Sequence, residues 1–333
     1  MTRTLVTGGS GLVGGALIAD LLAGGHEVVA LARSEPAAAA VRARGAQVAR
    51  GDVFDEPALR DAAQGCEVVY HVAGINTLCA SDPALMMRTN VDGAALVTRV
   101  AAQAGVRRLV HTSSAAAVGE AQGTVGREDS PHRGSYLSVY ERSKHLSEGA
   151  VLQAADGTGL EVVFVNPASV QGPGRSSGTG KLLIAFLDGR LRVFIDTTVS
   201  IVDVADCARG HVLAAERGVP EARYLLCGAA LPITEAFELA RRIAGVSRTP
   251  RVLPPALARG GAAIVELAYR VLGRTPPICR EMVATMLHGH RYDGSRATRE
   301  LGLIYTPVEQ TLRRTIVWAT AQGLMRSRAS GPT

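Results

Sequence analysis

Short apolar runs alternate with longer Ala- and Leu-rich stretches along the first half of the chain. The short runs are rich in β-branched residues, whereas the stretches between them favour helices. The runs are TLVTG, EVVALAR, AQVARGDV, EVVYHVAG, RRLVHTSS and LEVVFVNPA. Near-continuous apolar strands separated by helices are typical of a parallel sheet that is covered on both faces. The pattern therefore predicts an α/β fold with a doubly wound parallel sheet.

The regularity loosens after Pro167. The segment QGPGRSSGTGK at 171–181 predicts a mobile loop over a ligand, since periodic structure resumes directly after it. A further strand is expected at 224–228 (YLLCG). Helices are expected around 234–244, 256–272 and 307–322, in a smaller and mainly helical lobe.

Composition narrows the function classes. The 333 residues are 47% hydrophobic, which is enough for a sizeable core. The net charge is +6, but the basic residues are scattered and aromatic residues make up only 4%, so no nucleic-acid partner is expected. The apolar stretch at 255–273 is interrupted by Arg259, Glu266 and Arg270, so no membrane span is expected either.

The termini and cysteines favour a cytoplasmic protein. Met1 to Arg3 leads directly into a strand, which leaves no room for a signal peptide. The five cysteines are far apart and odd in number, which fits reduced thiols. The last residues, 326–333, are expected to be a disordered tail.

His288 and His290 lie near Cys279 in the sequence. No fourth ligand completes a metal-binding spacing, so a solvated helix or loop is favoured over a metal site.

A glycine-rich turn follows the first strand. In LVTGGSGLVGGAL, Gly8 permits the sharp turn, Gly11 lets the backbone approach a pyrophosphate, and Gly14 lets the helix pack closely on the strand. The helix that begins at Leu12 and Val13 directs unpaired N–H groups toward the phosphates. At this place in a βαβ unit, the turn predicts a dinucleotide site.

The end of the second strand bears on which dinucleotide is bound. NAD enzymes place an acid here to bind the ribose 2′-hydroxyl, whereas an arginine suits a 2′-phosphate. The chain has Ala32 at the acid position and Arg33 beside it, which favours NADP(H), with NAD(H) possible. A solvated Arg33 is the alternative, and the nearby Glu35 weighs against a phosphate.

Two further contacts are expected at the third strand. Asp52 is placed to accept a hydrogen bond from the adenine amino group, and Val53 is placed to pack on the ring. A plain loop aspartate is the alternative for Asp52.

Tyr140 and Lys144 are four residues apart, so a helix would place them on one face. Lys144 is one of only two lysines in the chain. A nearby ammonium lowers the pKa of a phenol, and its compact shape also suits donation to ribose hydroxyls. Ser113 and Ser114 end a strand at the edge of the sheet where α/β ligands bind, and only one of them is expected to face the site. Turn formation or helix capping is the alternative role for these serines.

Taken together and in order, these motifs resemble those of the extended short-chain dehydrogenase/reductases, within the NAD-dependent epimerase/dehydratase superfamily. The matching segments are Thr7–Gly14, HVAG at 71–74, RTNVDG around Asn90, TSSAAAVG, the Tyr140–Lys144 motif and VNPASVQGPG at 165–174. Within that group the chain is most similar to the dihydroflavonol-4-reductase and 3β-hydroxysteroid dehydrogenase-like branch, including hopanoid-associated sugar epimerases.

The resemblance implies roles for individual residues. Ser114 would polarise a substrate carbonyl, Tyr140 would donate and accept the proton, and Lys144 would lower the pKa of Tyr140 and hold the nicotinamide ribose. Asn90 would support a water-linked proton path. Residues Ala73, Pro167 and Val170 would contact the cofactor, the last two at the nicotinamide. The implied reaction is hydride transfer between NAD(P)H and a small ketone or secondary alcohol.

Two rival functions remain open. Nucleotide-sugar epimerases and dehydratases share the fold, but they usually carry an Arg-Asp pair where this chain has Thr198 and Val199, and often a tyrosine where it has Gln171. These departures favour an apolar substrate, lined by Leu182, Leu183, Phe186 and Phe194 unless those residues are ordinary core. A dinucleotide sensor without chemistry would typically lack Tyr140 or Lys144.

Assembly and domain boundaries complete the expectations. The amphipathic helices around Asn90 and Lys144 predict a possible homodimer. A Rossmann domain is expected over 1–170 and 197–228, and a substrate-binding lobe over 171–196 and 229–325.

Overall fold

The computed structural model describes residues 2–246 and 250–325. The tail expected at 326–333 lies outside these ranges.

The described ranges contain fourteen β-strands. In chain order they are β1 (Arg3–Thr7), β2 (Glu27–Ala32), β3 (Gln47–Arg50), β4 (Val68–His71), β5 (Arg108–Thr112), β6 (Val125–Gly126), β7 (Glu161–Pro167), β8 (Ser169–Gln171), β9 (Val193–Phe194), β10 (Thr198–Asp203), β11 (Arg223–Leu226), β12 (Ala229–Pro232), β13 (Arg251–Val252) and β14 (Arg291–Tyr292).

The α-helices lie mostly between these strands. They are α1 (Leu12–Ala23), α2 (Glu35–Arg42), α3 (Glu56–Ala63), α4 (Pro83–Met87), α5 (Gly93–Gln103), α6 (Val139–Ala155), α7 (Thr179–Leu187), α8 (Val204–Arg217), α9 (Ile233–Ala244), α10 (Pro255–Val271), α11 (Arg280–His288) and α12 (Val308–Ala321). Short π-helical turns span Arg88–Asp92 and Ala297–Leu301, and a 3₁₀ turn spans Ala115–Val118.

Seven strands form the main sheet, in the order β11-β7-β5-β4-β1-β2-β3. Every pairing in it is parallel. The predicted doubly wound α/β fold is confirmed. The strand order reverses between β1 and β4, so a crevice opens there at the carboxyl ends of the strands, where such sheets bind ligands. The segment HVAG at 71–74 is strand only at its first residue. β4 ends at His71, and residues 72–74 lie in the crevice.

Helices cover both faces of this sheet. Buried side chains of α1 and α8 form one core cluster with β1 and β11, including Leu17, Val212 and Leu226. Side chains of α3, α5 and α6 form a second cluster on the opposite face, with Leu59 and Val97 among them. Apart from the edge strand β3, the strands are buried on both sides, which explains why they are mainly apolar runs in the sequence.

A separate apolar core lies among α7, α9 and α12. Phe186 stacks on Phe237 with ring centroids 4.3 Å apart, and Phe194 meets Phe237 edge-on. Leu183, Phe186 and Phe194 are all less than 9% exposed within this cluster, and Leu182 packs against it. These four residues therefore make core contacts, which was the alternative given for them above. The domain boundaries given above stay a prediction.

Helix α10 is attached to the protein by few contacts. Ala258 and Ala262 are its buried residues, whereas Ile264 is 71% exposed and Val271 is 79% exposed. Among the described residues, no helix combines the length and apolar character that a membrane crossing requires. The homodimer through α5 and α6 stays a prediction, although these two helices do pack on each other within the chain.

Two contacts between segments that are distant in the sequence differ from the expectations given above. Cys79 and Cys279 form a disulfide, with Cα atoms 5.6 Å apart across 200 residues of sequence. The expectation that all five cysteines are reduced is therefore wrong for this pair, because distance along the chain does not limit distance in the fold. Cys66, Cys207 and Cys227 are free and buried.

The second contact involves His288 and His290, which were expected on a solvated helix or loop. The side chains of His288 and His290 are only 6% and 15% exposed, so that expectation is wrong. Both rings lie against Glu120, whose Oε1 is 2.6 Å from His290 Nδ1 and 3.3 Å from His288 Nε2. Glu120 comes from a different part of the sequence, so the spacing of the histidines did not reveal it.

Candidate active site

The glycine turn between β1 and α1 is too tight for side chains at two positions. Gly8 has a φ of +75°, and a Cβ there would lie 2.6 Å from the backbone nitrogen of Ala73. A Cβ at Gly14 would lie 2.3 Å from the carbonyl oxygen of Gly8. The first glycine thus allows the end of β4 to approach β1, and the second allows α1 to pack against the turn, as predicted from the sequence.

The N-terminus of α1 is suited to an anion. Gly11 is the N-cap and has no side chain to cap the helix. The N–H groups of Leu12 and Val13 therefore lack an intrahelical partner and point out of the helix end, as an anion site requires. The residues present fit a dinucleotide pyrophosphate at this place.

Arg33 follows the last residue of β2 and is exposed, whereas Ala32 is buried. Glu35, the residue that weighed against a phosphate here, is paired with other arginines. Its carboxylate lies 2.7 Å from Arg42 and 3.2 Å from Arg50. Arg33 forms no ion pair with the residues that the structure describes, so its guanidinium is available to a ligand.

Asp52 and Val53 follow β3. Asp52 Oδ1 accepts a hydrogen bond from the backbone N–H of Phe54 at 3.2 Å, so one oxygen shapes the local turn. Val53 is only 8% exposed and packs in the core, close to Gly93. The contacts of both residues with adenine stay predictions.

Ser114 ends the extended segment after β5 and caps the 3₁₀ turn, with its Oγ accepting from Ala116 N–H at 3.3 Å. It also lies close enough to Tyr140 to oppose the rise in the pKa of the phenol. Ser113 is 4% exposed, and its hydroxyl has no partner among the described residues. Ser114 is thus the serine that faces the tyrosine, and it also fills the capping role that was the alternative.

Tyr140 lies in the first turn of α6, which Ser138 caps by accepting from Glu141 N–H at 3.1 Å. Burial raises the pKa of the Tyr140 phenol above its usual value, while the hydrogen bond to Ser114 and the charge of Arg175 oppose that rise. Arg175 lies in the 171–181 segment. The cation that acts on the phenol in this structure is therefore Arg175, which the sequence analysis did not single out.

Lys144 is one helical turn further along α6 and 4% exposed. Its Nζ donates to the carbonyl of Thr112 at 2.9 Å and lies 3.3 Å from where a Cβ at Gly74 would stand. Burial lowers the pKa of Lys144 to about 8, and the charge of Glu148 opposes this. The ammonium thus reaches the crevice at the end of β4. Its predicted effect on Tyr140 and its contact with the ribose stay predictions.

Asn90 lies in the π-helical turn before α5 and is 2% exposed. Its Oδ1 accepts from Ile75 N–H at 2.7 Å, and its Nδ2 donates to Ile75 O at 2.9 Å and to Ser143 Oγ at 2.8 Å. Ser143 in turn donates to the carbonyl of Tyr140 at 2.8 Å. Asn90 therefore joins the loop after β4 to the helix that carries the tyrosine. A π-helical turn of this kind is frequent at functional sites.

Two histidines lie beneath Lys144 within the sheet. His71 Nδ1 is 2.7 Å from Thr7 Oγ1, and His111 Nε2 is 3.1 Å from Ser147 Oγ. Burial lowers the pKa of His71 to about 3, with a further contribution from Lys144, and burial lowers that of His111 as well. Burial therefore favours the neutral form of both imidazoles.

The end of β7 closes the far side of the crevice. Pro167 is buried there, and Val170 is 9% exposed on β8. Asn166 fixes this edge, because its Nδ2 donates to Ser114 O at 3.0 Å and to Glu148 Oε1 at 2.7 Å. The crevice brings together Gly8, Gly74, Asn90, Ser114, Tyr140 and Lys144. Arg33 and Asp52 lie at the ends of the outer strands β2 and β3.

A family model for the NAD dependent epimerase/dehydratase family matches residues 4–227, which include all of these site residues. The chain belongs to the NAD-dependent epimerase/dehydratase family. Members of this family use a nicotinamide dinucleotide. The family model is named for epimerases and dehydratases, and the relatives described below include reductases, so the protein is an oxidoreductase or an epimerase of the extended short-chain type.

Several relatives are similar over nearly their whole length. Sterol demethylase protein B of Methylococcus capsulatus is 33% identical, over 97% of this chain and 99% of the relative. A putative dihydroflavonol 4-reductase of Synechocystis is 30% identical, over 97% and 96%. A 4-hydroxy-2-methyl-3-oxo-4-farnesyl-3,4-dihydroquinoline-1-oxide ketoreductase of Stigmatella aurantiaca is 32% identical, over 99% and 97%. The predicted resemblance to the dihydroflavonol-reductase branch is confirmed.

The solved structures agree with the fold. The crystal structure of gox2253 covers 98% of this chain, and the chain covers all of it, with a TM-score of 0.86 and 30% identity.

Proposed function

We propose that this protein is an NADP(H)-dependent reductase that transfers a hydride between the nicotinamide and a ketone or secondary alcohol of a largely apolar substrate. The observation that carries the proposal is that Ser114 lies close enough to Tyr140 to act on the pKa of its phenol, with the ammonium of Lys144 one helical turn away on α6. Two hydroxyls that meet at one point are what a carbonyl oxygen needs as negative charge develops on it.

The bound nicotinamide supplies the hydride. Ser114 donates a hydrogen bond to the carbonyl oxygen, and Tyr140 transfers its phenolic proton to that oxygen as the carbonyl carbon is reduced. The raised pKa of Tyr140 keeps the phenol protonated, as a proton donor must be. Lys144 holds the ribose near the end of β4, and Asn90 keeps the loop after β4 in place.

The surroundings of β10 favour an apolar substrate over a nucleotide sugar. Thr198 and Val199 lie in the antiparallel pair of β10 and β12, opposite Pro232 and Leu231. A charged pair that could hold a sugar diphosphate is missing at these two positions. The names of the reductase relatives, a farnesylated quinoline ketoreductase among them, point in the same direction.

The preference for NADP(H) rests on Arg33. It is exposed beside the buried Ala32, and the carboxylate of Glu35, two residues further on, is paired with Arg42 and Arg50. A 2′-phosphate placed at the end of β2 would meet a guanidinium that forms no ion pair with a described residue.

A turnover assay tests the proposal. Purified protein with NADPH is tested on aliphatic, aromatic and steroid-like ketones, and with NAD⁺ on UDP- and TDP-sugars. We expect NADPH oxidation with at least one ketone and no change in any sugar. Tyr140→Phe should lower the ketone rate by about 100-fold or more. Epimerisation of a nucleotide sugar, or an unchanged rate in Tyr140→Phe, would contradict the proposal.

A further inference from the structure

Glu120, His288 and His290 bring three side chains that can bind a metal to one place, and none of them is assigned to hydride transfer. One donor atom of each side chain lies within 4.8 Å of the donor atoms of the other two. Glu120 comes from the loop after the 3₁₀ turn, whereas the histidines lie at the end of α11 and just before β14. Two imidazoles and a carboxylate are a ligand set that suits Zn²⁺.

The cluster is enclosed, and its hydrogen bonds leave several donor and acceptor atoms unused. The side chains of Glu120 and His288 are 1% and 6% exposed. Glu120 Oε2, His288 Nε2 and His290 Nε2 are buried without a hydrogen-bond partner among the described residues. Buried polar atoms are normally hydrogen-bonded, so three unpartnered ones in the same cluster favour a site that binds a ligand.

The charges around the cluster favour a cation. Glu120 forms no ion pair with a lysine or arginine in the part of the chain that the structure describes, and its charged contacts are with the two imidazoles. Arg133 donates from Nη1 to the backbone carbonyl of Glu120 at 3.2 Å, but its guanidinium is paired with Glu141. With both histidines neutral, one negative charge is left over. A buried carboxylate in this situation is stabilised when it coordinates a metal ion.

The distances fit a zinc ion after a small adjustment. Two ligands of a tetrahedral zinc ion, each about 2.0 to 2.1 Å from the metal, are about 3.3 Å apart. Glu120 Oε1 is 3.3 Å from His288 Nε2, and it is 2.6 Å from His290 Nδ1, with which it shares a hydrogen bond. Zinc would replace that hydrogen bond, and the neutral ring of His290 would then carry its proton on Nε2. The oxygen and Nδ1 would need to separate by less than about 1 Å.

The backbone that carries the histidines is held by contacts outside the cluster. Gln122 Nε2 donates to the carbonyl of Leu287 at 3.2 Å, next to His288. Ser200 Oγ donates to the carbonyl of His290 at 3.2 Å and accepts from the N–H of Tyr292 at 3.2 Å. The positions of the two imidazoles therefore do not depend on Glu120 alone. A metal site needs supporting contacts of this kind to hold its ligands in place.

We propose that Glu120 Oε1, His288 Nε2 and His290 Nδ1 bind one Zn²⁺ ion, with a water molecule as the fourth ligand. Three protein ligands and a water complete the tetrahedral coordination that zinc prefers. His290 is the most exposed of the three at 15%, so the ion and the water would reach the site on its side. Cys279 is not a ligand, because it is part of the disulfide. The ion would join the loop after the 3₁₀ turn to the end of α11.

The test measures metal binding by the whole chain after a chelator has removed bound metal and the buffer has been exchanged for one without thiols. Calorimetry gives the stoichiometry and the dissociation constant for Zn²⁺, and the absorption spectrum with Co²⁺ reports on the ligands. The variants are Glu120→Gln, His288→Gln and His290→Gln. His132→Gln is the matched control, because His132 also lies beside a second histidine, with its ring centroid 4.3 Å from that of His145, and forms no ion pair with an acid among the described residues.

We expect the wild type to bind one equivalent of Zn²⁺. Each of the three ligand variants should bind it at least about 100-fold more weakly, because the loss of a supporting contact alone costs about 10- to 100-fold. His132→Gln should match the wild type. The Co²⁺ complex should show the visible bands of a four-coordinate ion and no thiolate-to-metal band, since no cysteine is a ligand.

Urea unfolding keeps the test decisive if a ligand variant folds poorly. Zn²⁺ should raise the urea midpoint of the wild type and of His132→Gln, and a chelator should reverse the shift, because the ion binds the folded chain. A wild type that binds no equivalent of Zn²⁺, or Glu120→Gln with unchanged affinity, would overturn the proposal. So would a thiolate band with Co²⁺, which would place the ion at a cysteine, or a loss of binding in His132→Gln, which would place it at the other pair of histidines.

Discussion

The side chain of Asn90 forms hydrogen bonds with both backbone polar groups of Ile75. Its side-chain oxygen accepts from the N–H at 2.7 Å, and its nitrogen donates to the carbonyl at 2.9 Å. One amide side chain thus mimics a strand partner for the loop that leaves β4. Because the loop carries Gly74, which lies against Lys144 Nζ, the position of the loop and that of the ammonium are coupled.

Removing this amide should destabilise the protein. We expect Asn90→Ala to lower the free energy of unfolding by about 1 to 3 kcal/mol, since it removes two hydrogen bonds to the half-buried backbone of Ile75. Urea unfolding measures the loss. Ser143→Ala is the control, because it removes one hydrogen bond of Asn90 and keeps both bonds to Ile75. An equal loss in the two variants would show that the bonds to Ile75 contribute little.

The ammonium of Lys144 should impose an upper pH limit on cofactor use. Burial lowers the pKa of Lys144 to about 8. We therefore expect kcat/KM for NADPH, which reports on the cofactor-free protein, to fall as the pH rises through about 8. In Lys144→Arg the residual activity should be at least about 100-fold lower and should show no such fall, since a guanidinium stays charged. Near-normal activity in Lys144→Arg would mean that the compact ammonium is not needed.

The same shift makes Lys144 a stability determinant at alkaline pH. Its folded-state pKa is below its unfolded-state value, so the unfolded chain binds more protons between about pH 8 and 10.4. The contribution of this group to stability therefore increases with pH across that window. Lys144→Met should remove this component from the pH dependence of urea unfolding, whereas Lys181→Met, at an exposed lysine, should leave it unchanged.

Arg33 should decide between the two nicotinamide dinucleotides. We expect Arg33→Ala to weaken NADPH binding by about 10- to 100-fold and to leave NADH binding unchanged, because only NADPH has the 2′-phosphate. Titrations that follow nicotinamide fluorescence give both dissociation constants. Arg60→Ala, at an exposed arginine on α3, is the control. Tighter binding of NADH than of NADPH by the wild type would overturn the assignment.

Glu120 connects the loop after the 3₁₀ turn to the segment that leads into β14, and in the metal-free protein we expect the stability that this contact provides to depend on pH. Burial alone would raise its pKa, but the hydrogen bond and charge of His290, with a contribution from His288, hold that pKa below its usual value. The stability this carboxylate provides is therefore present above about pH 4.5 and lost as the pH falls further.

We expect Glu120→Gln to cost about 1.5 to 3 kcal/mol at neutral pH and to flatten the loss of stability toward acid. Urea unfolding at neutral and acid pH measures both effects. Glu309→Gln, at an exposed ion pair with Arg313, should have almost no effect. Similar losses in the two variants would contradict the role of Glu120.

The number of free thiols tests for the Cys79–Cys279 disulfide. Alkylation of the unfolded, unreduced protein should modify three cysteines, and prior reduction should expose all five. Under oxidising conditions, Cys79→Ser should lower the free energy of unfolding by about 2 to 4 kcal/mol. With a reductant present, the wild type and Cys79→Ser should be equally stable. Five reactive thiols without reduction would show that the pair is open.

The sequence predicted the main sheet and the crevice because each depends on local patterns. Except for the edge strand β3, the strands of the main sheet are mainly apolar runs. The crevice residues follow the ends of β1, β4 and β5, lie on α6 or, for Asn90, lie in the turn before α5. The parallel order of the strands then brings Gly8, Ser114 and Tyr140 together.

What the sequence did not predict depends on contacts between distant segments. Glu120 and His290 are 170 residues apart, and Cys79 and Cys279 are 200 apart. Arg175 was within a segment recognised only as a mobile loop. Its side chain lies close to Gly178 and Gly180, and that placement depends on backbone angles that residue types do not specify. The neutral pair His71 and His111 was also missed, although both positions are visible in the β4 and β5 runs.

Gln171 Nε2 donates to Ser169 Oγ at 3.0 Å and to Thr179 Oγ1, and these side-chain hydrogen bonds join the ends of the 171–181 loop. They are separate from the backbone pairing between the parallel strands β8 and β10. Breaking these bonds would free the loop while leaving β8 and the body of α7 in register. A bulky apolar substrate of the proposed kind would therefore enter and leave through movement of this loop, without a rearrangement of the sheet.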